Sequence, residues 1–136
     1  MNNHRTLVFI GAHPDDETFG MGGTLAMYAD RGVSCHYLCG TRGESGFDDP
    51  EPDLKGFAST GDLRWHELEC ASDILGLKGV YWLGYRDSGM PGAPDNDHPD
   101  AFCRAPLDEV AGKIVRLLRE LKPQVVITHD PIGGYR

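Results

Sequence analysis

The stretch T-L-V-F-I-G-A-H-P-D-D-E, Thr6 to Glu17, decides how the rest of the chain reads. Thr6 to Ile10 is a short apolar run with β-branched and aromatic residues, which predicts a strand. The character then changes at once. A polar loop carrying His13, Asp15 and Asp16 leads into a helix predicted from Asp16 to Arg31, where Met21, Leu25 and Tyr28 recur on one face and Gly32 makes a stop. Working outward, the same succession returns. A second strand is predicted over Ser34 to Leu38, a helix over Leu63 to Leu75 with Asp62 or Thr60 as its cap, and a third strand over Val80 to Leu83. Tyr85 to Ala105 holds Pro91, Pro94 and Pro99 and reads as a long functional loop. A helix over Asp108 to Leu121, apolar at Val110, Ile114, Leu117, Leu118 and Leu121, is stopped by Pro123 ahead of a strand over Gln124 to Thr128.

Strands separated by crossover helices run parallel, with right-handed connections. The fold class is therefore α/β, a Rossmann-like sandwich. In such sheets ligands sit beyond the carboxyl ends of the strands. Each predicted strand is followed there by a polar segment: A-H-P-D-D-E at 12 to 17, T-R-G-E-S-G at 41 to 46, G-Y-R-D-S-G-M at 84 to 90 and H-D-P-I-G-G-Y at 129 to 135. One edge of the sheet collects all four.

Composition narrows the partners. With 136 residues, 40% hydrophobic and 25% charged, the chain can build one ordinary domain. A net charge of −8 argues against nucleic acid or an anionic membrane surface as partner. The absence of a long apolar run argues against membrane insertion and points to the cytoplasm. Cys35, Cys39, Cys70 and Cys103 form no C-x-x-C pair and are expected to be reduced and mostly buried.

His13 and Asp16 stand three apart across a strand-to-helix turn, so both can face one space. Imidazole with carboxylate is a ligand set suited to Zn²⁺, and Fe²⁺ is tolerated by the same donors. Asp15 beside them is free to act as a base, taking a proton from a water whose pKa a metal lowers to ~7. Read in isolation, the same acids could simply complement a helix N-terminus. Gly20, Gly22 and Gly23 each cost about 1 kcal/mol against Ala in a helix, so either a ligand or a neighbouring element comes close to that backbone.

The four segments, in this order, resemble the family of N-acetylglucosaminyl deacetylases that includes the phosphatidylinositol-glycan enzyme, the mycothiol- and bacillithiol-pathway enzymes and the LmbE-like proteins. The resemblance covers essentially the whole chain. It implies a three-layer sandwich with a mostly parallel sheet, and makes residues 1–136 the N-terminal portion of a single LmbE-like deacetylase domain. It also implies zinc ligands at His13 and Asp16, a general base at Asp15, and sugar contacts from Arg42 and Asp87. Tyr135 corresponds to a tyrosine that polarises the amide carbonyl. His129 and Asp130 are expected to orient their neighbours. In the family the segment like Gly-Gly-Tyr-Arg runs on into H-P-D-H, whose last His completes the metal site; that motif is missing here. The His-Pro-Asp at 98 to 100 lacks the second His and reads as a loop turn.

The function implied is zinc-dependent removal of the N-acetyl group from a small N-acetylglucosamine-type sugar or glycoside. Alternatives are an amidase of a sugar-thiol conjugate and an inactive sugar-binding fragment, which this chain would be if the missing ligand were essential. The open edge of the last strand would favour a homo-oligomer. A nucleotide-binding module is disfavoured, because two carboxylates follow the first strand where a pyrophosphate needs backbone amides and no negative charge.

Overall fold

The computed structural model describes residues 5–46 and 52–132. Four strands, β1 (Thr6–Gly11), β2 (Ser34–Cys39), β3 (Gly79–Trp82) and β4 (Val125–Thr128), form one sheet in the order β3-β2-β1-β4. All three pairings are parallel, with Leu7 opposite Cys35 on one side and Val125 on the other. Every residue of β2 is buried, as expected of a strand covered on both faces. The core gathers Leu7, Phe9, Leu25, Cys35, Tyr37, Cys39 and Leu68, with the Phe9 and Tyr37 rings stacked 5.4 Å apart.

The chain runs β1 to β2 to β3 in one direction and then returns to place β4 on the far side of β1. Right-handed crossovers therefore put the helices before β2 and β3 on one face and the helix before β4 on the other, giving three layers. The reversal lies between β1 and β4, and a crevice at their carboxyl ends is the place for a ligand.

The helix predicted from Asp16 to Arg31 is instead two, α1 (Asp16–Phe19) and α2 (Gly22–Asp30). Met21 leaves helical geometry at φ −132°, and the glycines around it withdraw the propensity that would carry the helix through. α2 also packs on α3 (Thr60–Leu75), where a Cβ at Gly22 would meet Leu75 only at an ordinary contact distance. Leu25 is buried and Met21 packs on the core, but Tyr28 lies at the surface.

α3 starts three residues before its predicted Leu63. Its cap is Ser59, neither Thr60 nor Asp62: the Ser59 Oγ accepts from the Asp62 N–H at 3.1 Å. Gly76 closes the helix at φ 73°. β3 and α4 (Leu107–Leu121) each begin one residue earlier than predicted, and β4 one residue later, within the usual spread of element ends. Lys122 ends α4 at φ 48°, just before Pro123.

The long loop after β3 is organised rather than open. It contains 3₁₀ turns at Pro94–Asp97 and Phe102–Arg104, and Arg86 pairs with Ala101 to fold it back on itself. Cys35 and Cys39 are buried as expected, whereas Cys70 and Cys103 are exposed, since α3 and this loop turn them outward. β4 is an edge strand with Val125 and Val126 about half exposed. Among the described residues, no helix is long and apolar enough to cross a membrane.

Candidate active site

Parallel pairing carries the ends of β1 and β2 into the site as one braced unit. Gly40 N–H donates to the Gly11 carbonyl, and Thr41 donates to the Ala12 carbonyl through both its N–H and its hydroxyl. Tyr37, fully buried on β2, donates its hydroxyl to the His13 carbonyl at 2.7 Å. The turn this creates leaves the Asp16 Oδ2 accepting from the N–H groups of Ala12 at 2.8 Å and His13 at 3.0 Å.

Two further residues expected in the site approach that oxygen. His13 Nδ1 lies 3.9 Å from Asp16 Oδ2, and His129 Nε2 lies 3.3 Å from it on the other side. His129 follows β4 and packs edge-on against Phe9, so the β1–β4 crevice brings together groups 113 residues apart. Asp130 turns elsewhere: its Oδ1 accepts from the Ile132 N–H at the surface. Tyr135 lies outside the described residues.

Asp87 meets His13 rather than open space. Its Oδ1 is 3.0 Å from His13 Nε2, its Oδ2 accepts from the Ser45 N–H at 3.2 Å, and its own N–H donates to Glu44. Only 4% of Asp87 is exposed. Its hydrogen bond pushes the His13 pKa above the ordinary histidine value, against the downward push of burial. A carboxylate on Nε2 keeps the proton there, so neutral His13 turns the lone pair of Nδ1 toward Asp16. A second-layer carboxylate of this kind orients many metal-binding histidines.

Asp15 sits at φ 118°, in the left-handed region that a non-glycine residue occupies at a cost of about 1–3 kcal/mol. The buried Glu17 accepts its N–H at 2.9 Å, and Arg64 Nη2 reaches its Oδ2 at 2.8 Å. Partial burial pushes the Asp15 carboxyl above its usual range, while the Arg64 charge pulls it down. Arg42 is engaged away from this loop: it donates to Asp62 at 3.1 Å and lies over the Trp82 ring, 4.3 Å from its centre. His98 accepts from the Asp100 N–H in an exposed turn, as its sequence setting implied.

Arg64, Glu17 and Thr41 carry much of this geometry and were not singled out from sequence. Arg64 did leave a signal, since it stands one helical turn before the buried Leu68 and so puts a charge on the packed face of α3. Among the described residues, no three His, Cys, Asp or Glu side chains are grouped to hold a metal ion. The donor chemistry nevertheless fits zinc as a partial set. His13 and Asp16 supply nitrogen and oxygen, with an imidazole from His129 beside the same carboxylate.

Comparison with known proteins bears on the same loops. The chain is 43% identical to the 1D-myo-inositol 2-acetamido-2-deoxy-alpha-D-glucopyranoside deacetylase of Thermobifida fusca, over 98% of this chain and 49% of that protein. It thus spans about half the length of the curated relatives it matches. Among solved structures it is similar to the N,N'-diacetylchitobiose deacetylase from Pyrococcus horikoshii, at TM-score 0.75 and 31% identity, covering 98% of this chain and 44% of that one. The fold is also that of a 4-carboxy-2-hydroxymuconate hydratase from Pseudomonas putida, at TM-score 0.66 and 23% identity over 96% of this chain and 50% of that one. One fold thus serves different reactions. The family model described as PIG-L, GlcNAc-PI de-N-acetylase, matches residues 8–136, and the chain belongs to that family.

Proposed function

We propose that the protein is a zinc-dependent hydrolase that removes the acetyl group from an N-acetylglucosamine-type sugar, with a GlcNAc-inositol, the substrate named for its relatives, as the foremost candidate. The observation that supports this reading is the approach of His13 and His129 to Asp16 at the β1–β4 crevice, with Asp87 on His13 Nε2 and Asp15 next to Asp16 in the chain. His13 and Asp16 would hold the metal together with donors beyond the described residues. Bound there, zinc or Fe²⁺ would supply Lewis acidity and make water a nucleophile near neutral pH.

Asp15 takes the proton of the attacking water as its oxygen adds to the acetyl carbon, and hands that proton to the nitrogen as the C–N bond breaks. The products are acetate and a free amine. Tyr135 donates to the carbonyl oxygen as negative charge gathers on it. Arg42 and Asp87 hold sugar hydroxyls, Arg42 by exchanging its Asp62 partner and Asp87 by sharing the oxygen that accepts Ser45 N–H. His129 keeps Asp16 in place, and Asp130 shapes the turn that follows it.

The test is acetate release from the GlcNAc-inositol by the protein at its full natural length, loaded with zinc, beside Asp15→Asn. Wild type should hydrolyse the amide, and Asp15→Asn should keep zinc while losing about 10²–10⁴-fold in kcat. Zinc-loaded wild type that releases acetate from none of a panel of N-acetylated amino sugars would overturn the proposal.

A further inference from the structure

The outer face of α3 carries two metal-ligating side chains that the deacetylase reading does not use. His66 and Cys70 stand four residues apart, so the helix repeat stacks them one turn above the other, on the face turned away from the buried Leu68 and Ser72. Both are exposed. Cys70 Sγ lies 3.7 Å from His66 Nε2.

That separation is the one a metal ion requires. Zinc binds thiolate sulfur at about 2.3 Å and imidazole nitrogen at about 2.0–2.1 Å, and the tetrahedral angle then puts the two donor atoms about 3.6 Å apart. The pair is within about 0.1 Å of that bite, so neither side chain has to change rotamer to close on an ion. His66 is steadied from outside the helix as well. The Phe57 ring lies against its imidazole, with centroids 5.1 Å apart, and a Lys55–Glu67 pair at 3.6 Å ties the same segment to α3. Asp73, one turn beyond Cys70 on this face, adds a negative charge that favours a cation. Imidazole with thiolate prefers Zn²⁺ or Cd²⁺ to the hard ions Mg²⁺ and Ca²⁺.

We propose that His66 and Cys70 form a metal site of their own, holding a thiophilic divalent ion such as Zn²⁺ or Cd²⁺ through Nε2 and Sγ. Water supplies the remaining positions, since no third His, Cys, Asp or Glu among the described residues is grouped with them. Binding releases the thiol proton to solvent, and the ion bridges one turn of α3. The site differs in kind from that of His13 and Asp16, which offers no sulfur, and it does not depend on the deacetylase reading.

The experiment titrates Cd²⁺ into reduced, metal-free protein at full natural length and follows the thiolate-to-cadmium absorption, to which the nitrogen and oxygen donors of His13 and Asp16 contribute nothing. Wild type and Cys103→Ser, which removes the other exposed thiol, should develop the same band. Cys70→Ser should lose it. His66→Ala should need at least about 10-fold more cadmium to reach half of the amplitude, the loss that removing even an outer partner of a metal ligand causes. Cadmium should also raise the melting temperature of wild type more than that of either variant, because the ion favours the folded helix. Both positions are exposed, so the variants keep the core intact. A band that persists in Cys70→Ser, cadmium binding by His66→Ala as tight as that of wild type, or equal melting shifts in all three proteins would overturn the proposal.

Discussion

Gly11→Ala tests whether the site turn is as tightly built as its distances imply. A Cβ at Gly11 would stand 2.5 Å from the Tyr37 hydroxyl, 2.9 Å from Asp16 Oδ2 and 3.0 Å from Asp16 Cβ. Ordinary contacts lie near ~3.5 Å, so Tyr37 must retreat by about 1 Å and Asp16 by about 0.5 Å. Neither has slack. Tyr37 is fully buried against Phe9, and Asp16 Oδ2 is held by two backbone N–H groups. Overpacking costs about 1–3 kcal/mol, and breaking the Tyr37–His13 hydrogen bond adds about 1 kcal/mol, at the low end because the His13 carbonyl also receives Asp16 N–H. Gly11 lies in a strand with no positive φ, so alanine recovers roughly 0.5 kcal/mol of backbone entropy. The net expectation is a loss of about 2–3 kcal/mol in urea unfolding without metal, read from the midpoint at constant m. Tyr37→Phe removes the atom that clashes, so the double variant should be less destabilised than the sum by at least about 1 kcal/mol. A Gly11→Ala loss under ~0.5 kcal/mol, or strict additivity with Tyr37→Phe, would refute the reasoning.

Three further outcomes are expected. Asp87→Ala frees His13 Nε2 and should weaken zinc binding about 10–100-fold by metal titration, even though Asp87 is not itself a ligand on this reading. Ser59→Ala removes the cap of α3 and should cost about 1 kcal/mol in chemical denaturation, with activity preserved once folded. Glu109 accepts the Tyr85 hydroxyl and pairs with Lys113, and both hold its carboxyl below the usual range. A folded pKa below the unfolded one stabilises above the unfolded value near ~4.3 and loses that contribution as pH falls through the folded value. Glu109→Gln should therefore lower the melting temperature at neutral pH and converge with wild type in acid.

Much of the fold was legible because parallel sheets write themselves locally. Buried strands such as Thr6–Gly11 are mostly apolar runs, and their loops carry glycine, proline and polar residues, so strand order along the chain and the position of the His13–Asp16 turn could be read directly. The break at Gly20 and Met21 was less legible. Glycine there signals either close packing or a helix end, and the non-helical Met21 makes it a helix end.

What the sequence determined by itself was the α/β class, the edge of the sheet that bears the chemistry, and the candidate ligands His13 and Asp16 with Asp15 beside them. Only the tertiary structure decided who stands against whom: Asp87 on His13, Arg64 on Asp15, His129 on Asp16, and Arg42 drawn off to Trp82 and Asp62. Local propensity acts over a few residues, whereas those pairings span 74, 49 and 113 positions and follow from placing β4 beside β1 and laying α3 across the loops. That arrangement is set by which apolar faces bury best together, a property of the whole chain that no single stretch of it contains.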